Sequence, residues 1–395
     1  MSPSSPAPCS PADCRVVLLT PSGRGAVATV MVEGGGAIDA VSKWFRAASG
    51  KPLNAIAPGT IVFGYFVARD GREEEVVVCP RAAGRIEVNC HGGKAAAGRI
   101  VAALTSAGCR QIPWQDWVRS GEPDSLAAEA RIALAEAPTL RTAAILLDQY
   151  RGALRMELQG IIALVESPDA GDAKCDTIAR LERLANRAAL GTHLTNPWRV
   201  VIVGRPNVGK SSLINALLGY QRSIVYDHPG TTRDALSART ALDGWPVELV
   251  DTAGLGDSGD ALEAAGVAMA RKQIHSADLV VLVFDRSCLW SPDDQRLAEE
   301  FPSALRVHNK CDLPPAEPAS RADGIATSAL VGEGIEELAK RVSSTLIPSV
   351  PQSGEAIPFT CRQVEAIEAA LARARKDDCA DAASRLRELA AGDSS

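Results

Sequence analysis

Apolar residues follow three different spacings along the 395-residue chain. Between residues 15 and 113, short β-branched runs alternate with turns and one Ala-rich stretch, which predicts a small α+β domain. From Ser125 to Val165, and again from Arg362 to Leu389, apolar residues recur at helical spacing. The region between alternates short apolar runs with Gly-containing turns and helices, which is typical of an α/β domain with a mostly parallel sheet. The pattern predicts that this domain is inserted into an all-α helical domain.

Joints that contain Pro and Ser separate the predicted segments, near Pro197 and Pro348. In chain order the segments are a disordered tail (1–14), an N-terminal α+β domain (15–113), the first part of the helical domain (114–196), the α/β domain (197–350) and the second part of the helical domain (351–395). The tail has neither a basic start nor an apolar core, so we do not interpret it as a signal peptide.

Composition indicates a globular protein with a small net charge. Hydrophobic residues make up 46% and charged residues 23% of the chain, and the formal net charge is -6. That charge gives no general attraction for nucleic acid, so contact with RNA needs a local basic patch. Ten cysteines without CxxC spacing indicate reduced thiols, and the most apolar run, Leu279 to Phe284, is far below the ~20 residues that span a bilayer. We expect a cytoplasmic protein without membrane contact.

A phosphate-binding loop follows the apolar strand Val200 to Val203. The residues from Gly204 to Ser211 match GxxxxGK[ST] and lead into a helix, so backbone N–H groups and the helix N-terminus can surround phosphates. Lys210 is expected to reach the β- and γ-phosphates, and the Ser211 hydroxyl to ligate Mg²⁺. The candidate nucleotide-binding residues of this loop are Gly204, Asn207, Val208, Gly209, Lys210, Ser211 and Ser212.

Two further motifs follow in the order expected of a GTP site. Asp251-Thr-Ala-Gly254 is a DxxG motif at the end of a strand, with a carboxylate for the Mg²⁺ side and a glycine N–H for the γ-phosphate. Asn309-Lys310-Cys-Asp312 is an NKxD signature after another apolar strand. Its last carboxylate can accept both N1–H and N2–H of guanine, a pair of donors that adenine lacks. The motifs predict an enzyme that binds GTP and GDP and hydrolyses GTP.

The remaining guanine contact is assigned to a loop near the end of the α/β domain. Ser328 and Ala329 lie just before a predicted helix start, where backbone N–H groups can meet the base. For hydrolysis, Ras-like proteins use a glutamine directly after DxxG to orient water. Leu255 occupies that position here, and an apolar side chain cannot position water. The catalytic groups must therefore come from elsewhere.

These motifs together resemble the MnmE family, also called TrmE, of tRNA-modification GTPases. The G-domain part of the resemblance lies in the run from Gly204 to Leu217, in Gly230-Thr-Thr-Arg-Asp234 and in Asp251 to Leu255. The N-terminal part lies in Pro21-Ser-Gly-Arg-Gly25 and in Ile86 to Gly93. The G motifs are shared with other GTPases, whereas the N-terminal match points to this family. The resemblance spans nearly the whole chain.

The resemblance implies a homodimer that forms through its N-terminal and G domains and is activated by potassium. K⁺ takes the place of an arginine finger in that family. Asn207 falls on the family's potassium ligand, and Tyr226 and His228 fall on positions that contribute backbone carbonyls.

Further catalytic roles are also implied by the resemblance. Thr232 matches the switch residue that closes over Mg²⁺, with Thr231 as its neighbour. Glu263 lies at the position of the family's water-orienting glutamate. An exposed acid on a switch helix remains the alternative interpretation of Glu263.

The N-terminal domain departs from the family at its folate site. In the family this domain resembles folate-binding one-carbon proteins and holds a formyl-tetrahydrofolate, and Glu87 matches one folate-contacting position. Met31 replaces an arginine of the family, and Glu122 replaces a lysine. Because the lost charge-assisted contacts are worth roughly 1.5 to 3 kcal/mol each, we expect weakened folate binding.

Two functions remain open from the sequence. Family members end in Cys-x-Gly-Lys, whereas this sequence ends in Ala390-Ala-Gly-Asp-Ser-Ser395, so the second part of the helical domain reads as truncated. The first function couples GTP hydrolysis to wobble-uridine modification of tRNA, together with an MnmG-like flavoprotein. The second is a dimeric GTP-dependent switch that has lost folate and tRNA chemistry. A ribosome-assembly GTPase is disfavoured because no basic RNA-binding domain follows the G domain.

Overall fold

A computed structural model describes most of the chain as two compact units. The described residues are 14–21, 25–68, 71–82, 84–166, 173–220, 237–251, 275–316 and 323–391. Among them, the residues up to Glu122 form the first unit and those from Pro123 onward form the second.

The first unit is an α+β structure built on a sheet. Its strands are β1 (Arg15–Leu18), β2 (Val27–Glu33), β3 (Phe45–Ala47), β4 (Val62–Val67), β5 (Glu73–Arg81), β6 (Arg85–His91) and β7 (Arg110–Gln111). Its helices are α1 (Ala37–Ser42), α2 (Lys94–Ser106) and α3 (Trp114–Gly121), with a 3-10 turn at Leu53–Ala55. In this described part, seven strands pair in the order β3-β4-β5-β6-β2-β1-β7. The strands are antiparallel except at the β1–β7 pair.

Alternation along β2 divides its side chains between two apolar clusters. Val30 and Val32 are fully buried in the main core, whereas Met31 belongs to a second cluster on the opposite face. That second cluster contains Val17, Met31 and Ile112, with Leu19, Trp114 and Trp117 packed against it. On neighbouring β6, Glu87 is the register partner of Met31 and accepts a hydrogen bond from Arg81 Nε at 2.8 Å.

Helix α3 belongs to the first unit. The indole Nε1 of Trp117 donates to Glu33 Oε2 at 2.9 Å, and Glu33 is buried. A buried carboxylate requires such partners, and Arg15 and Arg85 also pair with it. The boundary expected between residues 113 and 114 therefore moves to 122/123.

The expected tail also ends earlier than residue 14. Cys14 is only 2% exposed and contacts the buried thiol of Cys109. Its carbonyl accepts a hydrogen bond from the N–H of Arg110 at 2.8 Å. Since backbone pairing fixes Cys14 at the start of β1, this residue belongs to the N-terminal domain.

The second unit contains an α/β sheet and a set of helices. Its strands are β8 (Trp198–Val203), β9 (Ser237–Leu242), β10 (Trp245–Asp251), β11 (Leu279–Asp285), β12 (Leu305–Asn309) and β13 (Ile325–Ala326). Its helices are α4 (Ser125–Glu136), α5 (Leu140–Tyr150), α6 (Ala153–Glu166), α7 (Ala173–Thr192), α8 (Lys210–Tyr220), α9 (Pro292–Glu300), α10 (Ile335–Leu346), α11 (Cys361–Arg375) and α12 (Cys379–Ala391). In the described residues the sheet order is β13-β12-β11-β8-β10-β9, and only β9 is antiparallel to its neighbour.

Helices that precede the α/β domain in the chain pack on helices that follow it. Helix α11 contacts α7, and α12 contacts α4 and α6. The buried side chain of Gln149 joins the two parts of the chain, because its Nε2 donates to Glu355 O at 2.9 Å and its Oε1 accepts from Ile357 N at 3.1 Å. Arg362 adds an ion pair with Glu129 at 2.8 Å. These contacts confirm the predicted fold class, an α/β domain inserted into a helical domain after an α+β region.

None of the helices in the described ranges is long and apolar enough to cross a membrane. The most apolar strand run, which lies in β11, is buried in the sheet of the second unit.

Candidate nucleotide-binding site

The candidate site lies at one edge of the second sheet. Strands β8, β10, β11, β12 and β13 pair in parallel, so their carboxyl ends meet at this edge. The loop from Gly204 follows β8, whereas Asp251, Asp285 and Asn309 are the last residues of their strands. The separate motifs of the sequence therefore share one edge.

The loop after β8 has no room for a side chain at two of its positions, which are both glycine. Gly209 has φ +96, and a Cβ there would lie 2.3 Å from Nδ2 of Asn309. A Cβ on Gly204 would lie 2.4 Å from the carbonyl oxygen of Val283. Both distances are far below van der Waals contact, so the glycines of the motif allow the loop to approach β11 and β12.

The phosphate side of the site combines a buried cation with a helix start. Lys210 is buried, and its Nζ donates to the carbonyl oxygens of Gly204 and Arg205, each at 2.9 Å. It is also the first residue of α8, whose N-terminus carries partial positive charge. Backbone N–H groups, an ammonium group and a helix dipole form an arrangement suited to phosphate.

A hydroxyl and a carboxylate meet next to this helix start. The Oγ of Ser211 donates to Oδ2 of Asp251 at 2.5 Å, which joins the β8 loop to the end of β10. Oxygen ligands of this kind are those that Mg²⁺ prefers when it is bound with a phosphate. The pair therefore fits a magnesium ion that is shared with a nucleotide.

Asn309 joins the phosphate side to the opposite end of the site. Its side chain is almost fully buried, its Nδ2 donates to Val208 O at 2.9 Å, and its Oδ1 accepts from Ala329 N at 3.2 Å. Ser328 is buried beside it. Asp312 is exposed just beyond β12. The loops after β8, β12 and β13 are thus held together through one amide group.

Comparison with known proteins finds GTPases, among them proteins that are similar to most of this chain. A family model described as 50S ribosome-binding GTPase matches residues 199–310. The tRNA modification GTPase MnmE of Moorella thermoacetica is 32% identical over 391 residues, which cover 88% of this chain and 85% of that protein. The protein of the same name from Bacillus subtilis is 33% identical over 387 residues, covering 87% of this chain and 84% of that one. Among solved structures, Era of Aquifex aeolicus bound to GDP and AlF4⁻ is 26% identical over 44% of this chain and 65% of that chain, with a TM-score of 0.30.

The chain belongs to the MnmE family. It is therefore a GTPase, with GTP and GDP as its nucleotides and Mg²⁺ as the metal of the GTPase family. These relatives do not favour the alternative function, a GTP-dependent switch that has lost tRNA-modification chemistry.

Several predicted site residues lie outside the described residues. Gly254 was assigned by the DxxG motif, and the others by the MnmE resemblance: Tyr226, His228, Thr231, Thr232 and Glu263. Within the described residues, Asn207 is exposed at the tip of the β8 loop with φ +63, and its carbonyl accepts from Lys310 Nζ at 2.9 Å. Ser212 is exposed on the first turn of α8. Their roles remain predictions.

Two acidic residues of the site were missed by the sequence analysis. Asp294, in the first turn of α9, is buried and accepts from Arg205 Nε at 2.9 Å, so it holds the arginine of the phosphate loop. Asp285 pairs with Lys310 at 2.7 Å. The signal for Asp285 was an acid directly after an apolar strand, whereas nothing in the sequence linked Asp294 to Arg205.

Replacement of Gly209 by alanine should damage the site specifically. We expect Gly209→Ala to weaken GTP binding by about fivefold to a hundredfold, because strain of about 1 to 3 kcal/mol falls on a loop that must fit phosphate. The measurement is a titration with a fluorescent GTP analogue. Gly219→Ala is the matched control, since a Cβ at that α8 position meets nothing within 4 Å. Equal affinities of the two variants would contradict this account of the loop.

Proposed function

We propose that this GTPase hydrolyses GTP in support of wobble-uridine modification of tRNA, as a cytoplasmic homodimer that works with an MnmG-like flavoprotein. The observation that carries the proposal is the common sheet edge, where the buried ammonium group of Lys210 lies in the glycine-rich loop and Asn309 links this loop to those after β12 and β13. Relatives named tRNA modification GTPases match most of the chain.

The residues of the phosphate side take distinct roles in the proposal. Lys210 exchanges its two loop carbonyls for the β- and γ-phosphate oxygens, which keeps its buried ammonium group paired. Ser211 and Asp251 would hold Mg²⁺ when it is bound with the nucleotide, with Thr232 as the switch ligand. Gly254 supplies an N–H to the γ-phosphate.

The residues of the base side select guanine. Asp312 accepts hydrogen bonds from N1–H and N2–H of the base, so adenine would leave its carboxylate unpaired. Lys310 covers the base with its aliphatic stem. Asn309 holds the loops after β8 and β13 next to each other, and the Ser328–Ala329 backbone supplies the remaining N–H contact to guanine.

Hydrolysis needs a water-orienting group and added positive charge. Leu255 cannot orient water, so the proposal assigns that task to Glu263. Arg205, the arginine of the phosphate loop, is committed to an ion pair with buried Asp294. We therefore assign the added charge to a potassium ion held by Asn207, with backbone carbonyls at Tyr226 and His228, in G domains that pair face to face.

Nucleoside analysis of tRNA tests the function as a whole. A strain that lacks this gene should lose the modified wobble uridine, and the intact gene should restore it. A Lys210→Ala gene should fail, because the phosphates lose their buried cation. Lys340→Ala, at an exposed ion pair with Glu336, is the control and should restore the modification. An unchanged nucleoside profile in the deletion strain would instead support the GTP-dependent switch.

Replacing potassium with sodium tests the catalytic assignment. We expect KCl to raise the hydrolysis rate by at least about tenfold over NaCl at equal ionic strength, a small part of the roughly 10³ to 10⁵ that an arginine finger supplies. Sodium is too small to contact all the ligands of a potassium cage. Asn207→Ala should abolish the difference while retaining GTP binding. Equal rates of the unmutated protein in both salts would exclude a potassium site.

We also propose that the N-terminal unit binds folate weakly. Met31, which replaces the family's arginine, is 8% exposed and packs among apolar side chains, so it offers no charge to an anionic folate. Glu87 is already paired with Arg81. Equilibrium dialysis with 5-formyl-tetrahydrofolate should give no binding at micromolar concentration, whereas a relative that retains the arginine should bind in the same assay. Micromolar or tighter affinity would refute this proposal.

A further inference from the structure

The ammonium group of Lys310 is held at two fixed points. Its Nζ donates to the Asn207 carbonyl oxygen at 2.9 Å and to Oδ2 of Asp285 at 2.7 Å. Lys310 itself has φ +65, a conformation that side-chain-bearing residues rarely adopt. These contacts stretch the lysine side chain from the end of β12, past the end of β11, to the phosphate loop.

The carboxylate of Asp285 is positioned and oriented to pair with this lysine. It is the register partner of Asn309, the residue before Lys310, so its side chain starts from the adjacent strand end. Its second oxygen, Oδ1, accepts from both N and Oγ of Ser287, at 2.9 and 2.6 Å. The carboxylate is buried, with 8% of its side chain exposed. Its two oxygens are therefore oriented separately, one by Ser287 and one toward the ammonium group.

The charge state of Asp285 agrees with this geometry. Burial alone raises the pKa of its carboxyl group, but the hydrogen bonds from Lys310 and Ser287 lower the pKa below its ordinary value. The group is thus an anion at neutral pH. A buried anion without its cation would be costly, so the pair resists any rearrangement that separates the two side chains.

We propose that Asp285 is a positioning residue for guanine nucleotide binding. It fixes Lys310 so that the lysine stem lies ready over the base while its ammonium group secures the tip of the phosphate loop. The inference rests on the proposed assignment of Lys310 to the base side. Its effect should fall on nucleotide affinity and not on the chemical step, because its ion pair acts on Lys310, a residue of the base side.

The test is a double-mutant cycle on nucleotide dissociation. Asp285→Asn should raise the dissociation rate of a fluorescent GDP by about tenfold to a hundredfold, the range for a lost charge-assisted hydrogen bond, with kcat at saturating GTP changed less than about threefold. Lys310→Met should show a similar or larger loss. The double variant Asp285→Asn/Lys310→Met should lose no more than Lys310→Met alone, within about twofold.

Each alternative has a distinct outcome. If the two losses multiply, Asp285 acts independently of Lys310 and the inference is wrong. If Lys310→Met leaves the dissociation rate unchanged, the base-side assignment itself fails, and the inference fails with it. If Lys310→Met weakens binding while Asp285→Asn does not, only the positioning role is excluded.

Two further variants separate positioning from stability. Asp278→Asn is the matched control, because this carboxylate precedes β11 at the opposite end and accepts from Arg199 N at 2.7 Å. It should leave GDP dissociation unchanged. Ser287→Ala removes one contact to Asp285 and keeps the ion pair, so it should fold even if Asp285→Asn does not. It should speed GDP dissociation about threefold. Its thermal midpoint without nucleotide should fall by no more than that of Asp278→Asn. Unchanged dissociation in Ser287→Ala would overturn the proposal.

Discussion

Parallel pairing of strands is the constraint on which the site depends. In a parallel sheet every carboxyl end lies at the same edge, so residues that are up to about a hundred positions apart in the chain become neighbours without any long-range motif. Asp251 and Ser211 meet because β10 pairs with β8, and Asn309 reaches Val208 across β11, which lies between β8 and β12 in the sheet. The order of the strands thus sets the order of these residues along the edge, from Asp251 through the β8 loop to Asn309.

The edge brings the loops close but does not fix their conformations. Asn207 and Lys310 both adopt positive φ. Asn tolerates this conformation, whereas for lysine it costs about 1 to 2 kcal/mol. The hydrogen bond between Lys310 Nζ and Asn207 O connects the strained lysine to the phosphate loop. A charge-assisted bond of this kind is worth about 1.5 to 3 kcal/mol, which is enough to offset much of that strain. The loops after β8 and β12 are therefore held together by a contact within the protein itself.

The sequence could predict local chemistry better than pairing across the chain. Lys210, Ser211 and Asn309 were predicted because fixed spacing near a strand end determines where such residues lie, and the structure brings them to one edge. Asp294 acts on Arg205, 89 residues away, and no spacing links the two. Asp285 stands at the end of an apolar strand, which is a local signal, but its partner Lys310 is 25 residues away and could not be predicted from spacing. The N-terminal unit shows the same limit. Helix α3 was assigned to the helical domain, yet the indole of Trp117 places it on the first sheet by pairing with buried Glu33. A polar contact between elements about eighty residues apart has no local signature, and the three-residue strand β3 is too short to give a periodic one.

The hairpin of β9 and β10 shows how the inserted sheet and the helices constrain each other. Its turn residue Asp243 pairs with Arg141 of α5 at 3.3 Å, and the same guanidinium lies 5.1 Å from the ring of Trp245. Ser343 of α10 donates to Leu242 O at 3.2 Å from within the core. A shift of this hairpin along its axis must break the buried Ser343 bond and both Arg141 contacts together. Because β10 ends at Asp251, this carboxylate is tied through its own strand to the helical domain. The position of that carboxylate relative to Ser211 therefore depends on packing at the far end of the hairpin as well as on the site itself.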